Sequence, residues 1–200
     1  MRAKTLDMES EQGAILARIV NAQEKVQARL LRVSRLFARA GIRYAIVGGH
    51  AVGVWVATKD ESLVRTTRDV DVLVQPQDLA RVREVLEADG FVYRRNAEMD
   101  MFLDSAESKD RDAVHLIYSG QFVRSDHALP APELDDARIG TEFSVLPLEA
   151  LVRTKLVAWR RKDQVHLLDL IGVGLIDCTW PEHFGEPLRA RLQELLDNPE

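Results

Sequence analysis

The run Arg65-Thr66-Thr67-Arg68-Asp69-Val70-Asp71-Val72-Leu73-Val74 decides how this chain is read. From Asp69 onward it alternates, with Val70, Val72 and Val74 on one side of an extended chain and Asp69, Asp71 and Leu73 on the other. The alternation predicts a strand over 69–74, closed by Pro76, whose second face carries two carboxylates about 7 Å apart along the chain. Two carboxylates so placed suit a hard divalent cation completed by substrate phosphates. Two such ions clamp the attacking and leaving oxygens of an in-line displacement at phosphorus. A bare Asp-x-Asp is also the solvent edge of an ordinary amphipathic strand, so the flanking sequence has to decide.

On the N-terminal side, Tyr44-Ala45-Ile46-Val47 reads as a short buried strand closed by Gly48-Gly49. Residues 50–58 fit a short helix directly after the glycine pair, and 59–67 are polar and loop-like. Further upstream, Ile15, Ile19, Val26, Leu30, Val33 and Phe37 recur at three- and four-residue spacings and predict a helix over 8–40, stopped by Gly41. On the C-terminal side, Asp78 is placed to cap a helix that runs through Ala88 and stops at Asp89-Gly90. Residues 91–94, 99–103, 113–118 and 143–146 are further strand candidates, and 120–142 is loop-rich around Pro130 and Pro132. Pro147 then sits where a first-turn proline belongs, before helices expected over 148–161, 163–171 and 182–197. The order is that of an α+β fold, a small mixed β-sheet with an N-terminal helix and a C-terminal helical tail. It divides into an N-terminal helical segment (1–40), an α/β core (41–146) and a C-terminal helical segment (147–200).

Two hundred residues at net charge −5 argue against a general nucleic-acid binder, which carries a basic excess. The single cysteine, Cys178, forms no internal disulfide, as expected in a reducing compartment. No segment approaches eighteen apolar residues, and the first residues lack the apolar stretch of a signal peptide. The expectation is a cytoplasmic protein without a membrane role.

The flanking sequence does decide. Arg65-Thr66-Thr67-Arg68-Asp69-Val70-Asp71, preceded by Gly48-Gly49-His50-Ala51, resembles the nucleotidyltransferase superfamily that includes DNA polymerase beta. It is most similar to the small bacterial branch of minimal nucleotidyltransferases and type-E abortive-infection toxins. In that branch a strand and a Gly-Gly turn open a helix, and an R-x-T-x-D-hydrophobic-D run occupies the next strand. The tail from Leu148 through Lys155 to Asp163 looks like the helical segment that follows the sheet there.

The resemblance implies transfer of a nucleoside monophosphate from an NTP to an acceptor. It assigns Asp69 and Asp71 to Mg2+ or Mn2+ and Gly48 and Gly49 to the phosphates. Physically, glycines let backbone approach a triphosphate closely, and amides at a helix N-terminus favour anions. Arg65 and Arg68 either contact phosphates or neutralise the aspartates. Thr67 either bonds a phosphate, supports Asp69 or simply favours a strand. The acceptor is open among a protein, a tRNA end and a small molecule. A cognate partner protein, as in a toxin–antitoxin pair, is compatible with the branch.

One departure stands out. The superfamily adds a third carboxylate from a later strand, and the matching stretch here, 113–118, holds His115 at its centre. Asp100, Asp104 and Asp112 are the nearby carboxylates. His115 can serve as a general base, as a ligand for a softer metal, or as the mark of a degenerate nucleotide- or partner-binding relative. Finally, Lys155, Trp159 and Lys162 fall on one face if the helix that starts at Leu148 persists. That face would offer charge to a triphosphate, and Lys155 is the nucleotide-binding candidate.

Overall fold

In the computed structural model residues 2–96, 99–134 and 143–199 are described, with side chains from residue 12 onward except Arg111. A helix of 39 residues, α1 (Arg2–Ala40), leads into β1 (Tyr44–Ile46), and α2 (Gly48–Ala57) follows almost at once. Then come β2 (Val70–Val74), α3 (Leu79–Ala88), β3 (Val92–Arg95), β4 (Asp100–Leu103) and β5 (Val114–Tyr118). The tail is α4 (Leu148–Ala158), α5 (Arg161–Gly172) and α6 (Leu188–Asp197). The expected α+β architecture, a small mixed sheet with helices before and after it, is the one observed.

The sheet runs in the order β1-β2-β5-β4-β3. Only β2 and β5 pair in parallel; the other neighbours are antiparallel. The alternation of β2 separates two cores. Val70, Val72 and Val74 join Val33 and Phe37 of α1 and Val82 and Leu86 of α3 on one face. Leu73 joins Ala51 and Val52 of α2, Leu151 and Leu156 of α4, and Leu167 and Leu170 of α5 on the other. Asp71, two residues before Leu73, therefore points to the α2/α4/α5 side. Each face buries its apolar set against helices, at about 25 cal/mol per Å2, so a one-residue slip of β2 would exchange its valines for carboxylates.

Three expected elements differ. Residues 143–146 make only a single parallel bridge, Val145 to Ile46, because β1 ends at Ile46 and both chains turn into helices, at Gly48 and at Leu148. The helix that begins at Leu148 ends at Ala158 rather than near residue 161. Trp159 adopts a left-handed conformation (φ 47°) and Arg160 is extended, so a second helix starts at a new angle. Lys155, Trp159 and Lys162 thus do not share one helical face. The stretch expected as a helix over 182–197 is a 3-10 turn, Trp180–His183, followed by α6.

Candidate functional site

The backbone turn between β1 and α2 builds the floor of the site. Gly48 has φ +67°, a conformation that costs other residues strain, and a Cβ there would overlap the Asp71 carboxylate. A Cβ on Gly49 would press to 3.1 Å against Thr67 Cβ and Oγ1. The glycines are therefore what lets the helix N-terminus lie directly against the carboxylate strand. Val47 precedes the helix without a side-chain cap, and among the described residues no side-chain hydrogen bond to the first-turn amides is made.

Asp69, Asp71 and His115 converge next to this turn, each offering a ligand atom within 4.8 Å of the others. His115 sits opposite Asp71 in the parallel β2–β5 register. Its Nδ1 is 3.2 Å from Asp71 Oδ1 and 3.9 Å from Asp69 Oδ2. Its Nε2 lies 3.0 Å from the carbonyl oxygen of Asp110. A carbonyl only accepts, so Nε2 carries a hydrogen and donates it. In the neutral ring that leaves the Nδ1 lone pair facing the two carboxylates, the arrangement by which outer hydrogen bonds orient metal-bound histidines. Burial works against the imidazolium, but the hydrogen bond to Asp71 and the charges of Asp71 and Asp69 outweigh it and raise the His115 pKa. Asp69 is similarly balanced. Burial pushes its carboxyl up, while the Thr67 hydroxyl, donating at 2.7 Å, and the charges of Lys162 and His115 bring it below the usual carboxylate value.

The donor set fits a divalent cation. Ligand atoms around a six-coordinate ion at about 2.1 Å stand roughly 3–4 Å apart, which is the order of the spacing here. An imidazole among two carboxylates suits Mn2+ better than Mg2+.

The other candidate carboxylates are engaged elsewhere. Asp100 accepts from Tyr93 and Tyr118 on the opposite face of the sheet, and burial together with Asp100 raises the Tyr118 pKa. Asp104 is held by Arg29. Asp112 lies in the 3-10 turn before β5. Among the described residues the metal-type cluster consists of Asp69, Asp71 and His115.

A cavity of about 410 Å3 opens over the pair. Gly48, Gly49, Thr67, Arg68, Asp69, Asp71 and Lys155 all line it, so these sequence candidates meet there, while His115 stands behind the pair and is not part of the lining. Arg65 does not line it; its guanidinium, 62% exposed, pairs with Asp169 of α5 at 2.7 Å. The break at Trp159 brings in residues that no helical wheel would group. Lys155, 5% exposed, is 3.1 Å from the fully buried Asp163, which also accepts from Arg160 at 2.7 Å. Burial lowers the Lys155 pKa despite the opposing charge of Asp163. Burial also holds the His166 pKa down at about 4, leaving a neutral ring at the cavity wall. Arg153, Lys162 and the apolar stretch from Leu129 to Pro132 complete the lining. Sequence reasoning passed over Arg153 and that stretch, which carry no motif.

Residues 13–168 match the family described as uncharacterised nucleotidyltransferase. The chain belongs to that family. Comparison with curated proteins gives no match. Among solved structures, this family member is similar to an antigenic nucleotidyltransferase-like protein from Paracoccidioides brasiliensis, at 15% identity and TM-score 0.54, covering 88% of this chain and 90% of that one. It is also similar to the antibiotic-resistance factor ANT(2'')-Ia. In solution that structure gives 14% identity and TM-score 0.48 over 89% and 92% of the two chains. Crystallised with adenylyl-2''-tobramycin, it gives 13% identity and TM-score 0.49 over 86% and 97%. At these identities the likeness concerns the fold alone. Among the described residues no helix is long and apolar enough to cross a membrane.

Proposed function

We propose that this protein is a metal-dependent nucleotidyltransferase that moves a nucleoside monophosphate from an NTP to an acceptor hydroxyl. The observation that carries the reading is the convergence of Asp69, Asp71 and His115 beside an uncapped helix N-terminus. In this reading Asp69, Asp71 and His115 Nδ1 hold Mg2+ or Mn2+. Bound there, the ion supplies Lewis-acid polarisation of the transferring phosphoryl group and offsets its developing charge.

The chain's own groups do the rest. Gly48 and Gly49 amides receive phosphate oxygens. Thr67 fixes the orientation of Asp69, and Asp163 holds Lys155 and Arg160 at the wall where a triphosphate would lie. Arg65 reaches a phosphate only by leaving Asp169. The acceptor oxygen bonds to the α-phosphorus, the α–β bridging bond breaks, pyrophosphate leaves and the hydroxyl proton passes to solvent. A protein hydroxyl, a tRNA end or a small molecule is compatible as acceptor. The narrower affinity to minimal nucleotidyltransferases and type-E abortive-infection toxins rests on the run from Gly48 to Asp71.

A second reading is a nucleotide- or partner-binding protein without catalysis, and the imidazole in place of a third carboxylate favours it. One experiment separates the two. Each labelled NTP is incubated with the protein, Mn2+ or Mg2+ and a cell extract. The expected result is label transferred by wild type and lost in Asp71→Asn. If only His115→Asp transfers label, the second reading holds; if neither metal promotes nucleotide binding, the transferase reading falls and the second is left with partner binding alone.

A further inference from the structure

Residues 12–22 are exposed throughout, and four large apolar side chains lie among them, including Leu16 at 63% and Ile19 at 52% exposure. Ile15 and Ile19 continue the seam that, from Val26 through Leu30, Val33 and Phe37, is buried against the sheet. A helix surface of this kind gains stability mainly by packing its apolar face. Beside it runs a groove of about 340 Å3, walled on one side by Ile15, Ile19, Ala22 and Val26 and on the other by Thr66, Thr67 and Arg68. The same three residues also line the catalytic cavity. They form a wall common to both, and Thr67 in that wall holds Asp69.

Among the described residues the charged groups lining the groove are Arg18 and Arg68. Neither has a carboxylate partner among the described residues; Arg18 donates only to the Ala14 carbonyl. A second copy is a poor occupant. A two-fold contact centred on residues 15–20 would set the two Arg18 side chains next to each other, and no described residue lining the groove supplies a carboxylate between them. An apolar segment carrying carboxylates matches both features.

We propose that this groove docks an acidic, amphipathic segment of a different protein, which acts on the site through the Thr66–Arg68 wall. Docking goes beyond the nucleotidyltransferase reading and does not depend on it; only the effect on the metal does. The test replaces a polar groove residue, Gln23→p-benzoylphenylalanine, in the full chain, and maps the photo-crosslinked peptide from a cell extract by mass spectrometry. The expected product is a segment of another protein with apolar residues at helical or strand spacing and flanking Asp or Glu. Its yield should fall by on the order of tenfold in Arg18→Glu and in Ile19→Asp, both exposed positions. Adducts solely between copies of this chain, adducts insensitive to Arg18→Glu, or no adduct overturn the docking. The mapped peptide, made synthetically, should then shift Mn2+ affinity by on the order of fivefold or more. A peptide that binds without that shift overturns the action through the wall. A chain that never binds Mn2+ overturns the metal reading and leaves the docking result standing.

Discussion

His115 stands directly across from Asp71 on the one parallel strand pair of the described sheet, its Nδ1 3.2 Å from Asp71 Oδ1. Direct partners on neighbouring strands share a face, so the register alone commits the imidazole to the carboxylate side. The carbonyl of Asp110 then fixes which nitrogen faces the pair. The position can therefore exchange an imidazole for a carboxylate without moving the strand.

That exchange sets the first expectation. By calorimetric titration, His115→Ala should weaken Mn2+ binding by at least the about 10-fold typical of losing even an outer partner. His115→Asp should shift the preference towards Mg2+, because it replaces a nitrogen donor by a hard oxygen. Unchanged Mn2+ affinity in His115→Ala would remove the imidazole from the ligand set.

Asp71→Asn should leave the apo protein folded, since it removes one of two neighbouring negative charges. With Mn2+ and an NTP the wild-type Tm should rise by mass action, about 2.7 kcal/mol of stabilisation at a hundredfold excess over Kd. The variant should not respond. An equal rise in both would place the ligand elsewhere.

Gly48→Ala meets two obstacles at once, a left-handed φ worth about 1–2 kcal/mol and the Asp71 carboxylate in the space of the new methyl. It should lower Tm and abolish the metal response together. Gly13→Ala is the control. Its Cβ meets nothing, it lies in an exposed helix, and it should stabilise by up to about 1 kcal/mol. A metal response surviving in Gly48→Ala would break the link between the turn and Asp71.

Asp163 carries the pH prediction. Burial pushes its carboxyl up, but the Arg160 hydrogen bond and the charges of Lys155 and Arg160 prevail and hold it below its usual value. A depressed folded pKa contributes stability above the unfolded value, about 3.9, and loses it as pH falls further. Asp163→Asn should cost about 3–5 kcal/mol at neutral pH by leaving Lys155 buried and unpaired. Denaturant melts should also show a flatter pH dependence below about pH 4 than in wild type. The same slope in both proteins would mean that the pair does not couple to folding.

The strand carrying Asp69 and Asp71 was legible because residues 69–74 put Val70, Val72 and Val74 on one wholly aliphatic face. The turn was legible because two glycines follow a buried apolar run. His115 could be suspected from its place in a strand, but its pairing with Asp71 could not. The two are 44 positions apart, and nothing local states that their strands are neighbours. Lys155 was found for the wrong geometry. A tryptophan in left-handed conformation has no sequence signature, so the break that delivers Arg160 and Asp163 to Lys155 was invisible. The partner of Arg65, 104 residues away on α5, was equally beyond local reasoning.

Between β2 and β5 the chain makes an excursion through α3, β3 and β4 before returning alongside its starting strand. Closing so long a segment costs entropy before any cross-strand contact repays it, and such non-local parallel pairing is the slow part of folding. β1 and β2 can pair early, across the shorter stretch that contains α2, and bring Gly48 to Asp71 without help from the rest. His115 can join only when the excursion has closed. Competence to chelate therefore waits on the closure of that excursion, because His115 reaches Asp71 only through the β2–β5 pairing.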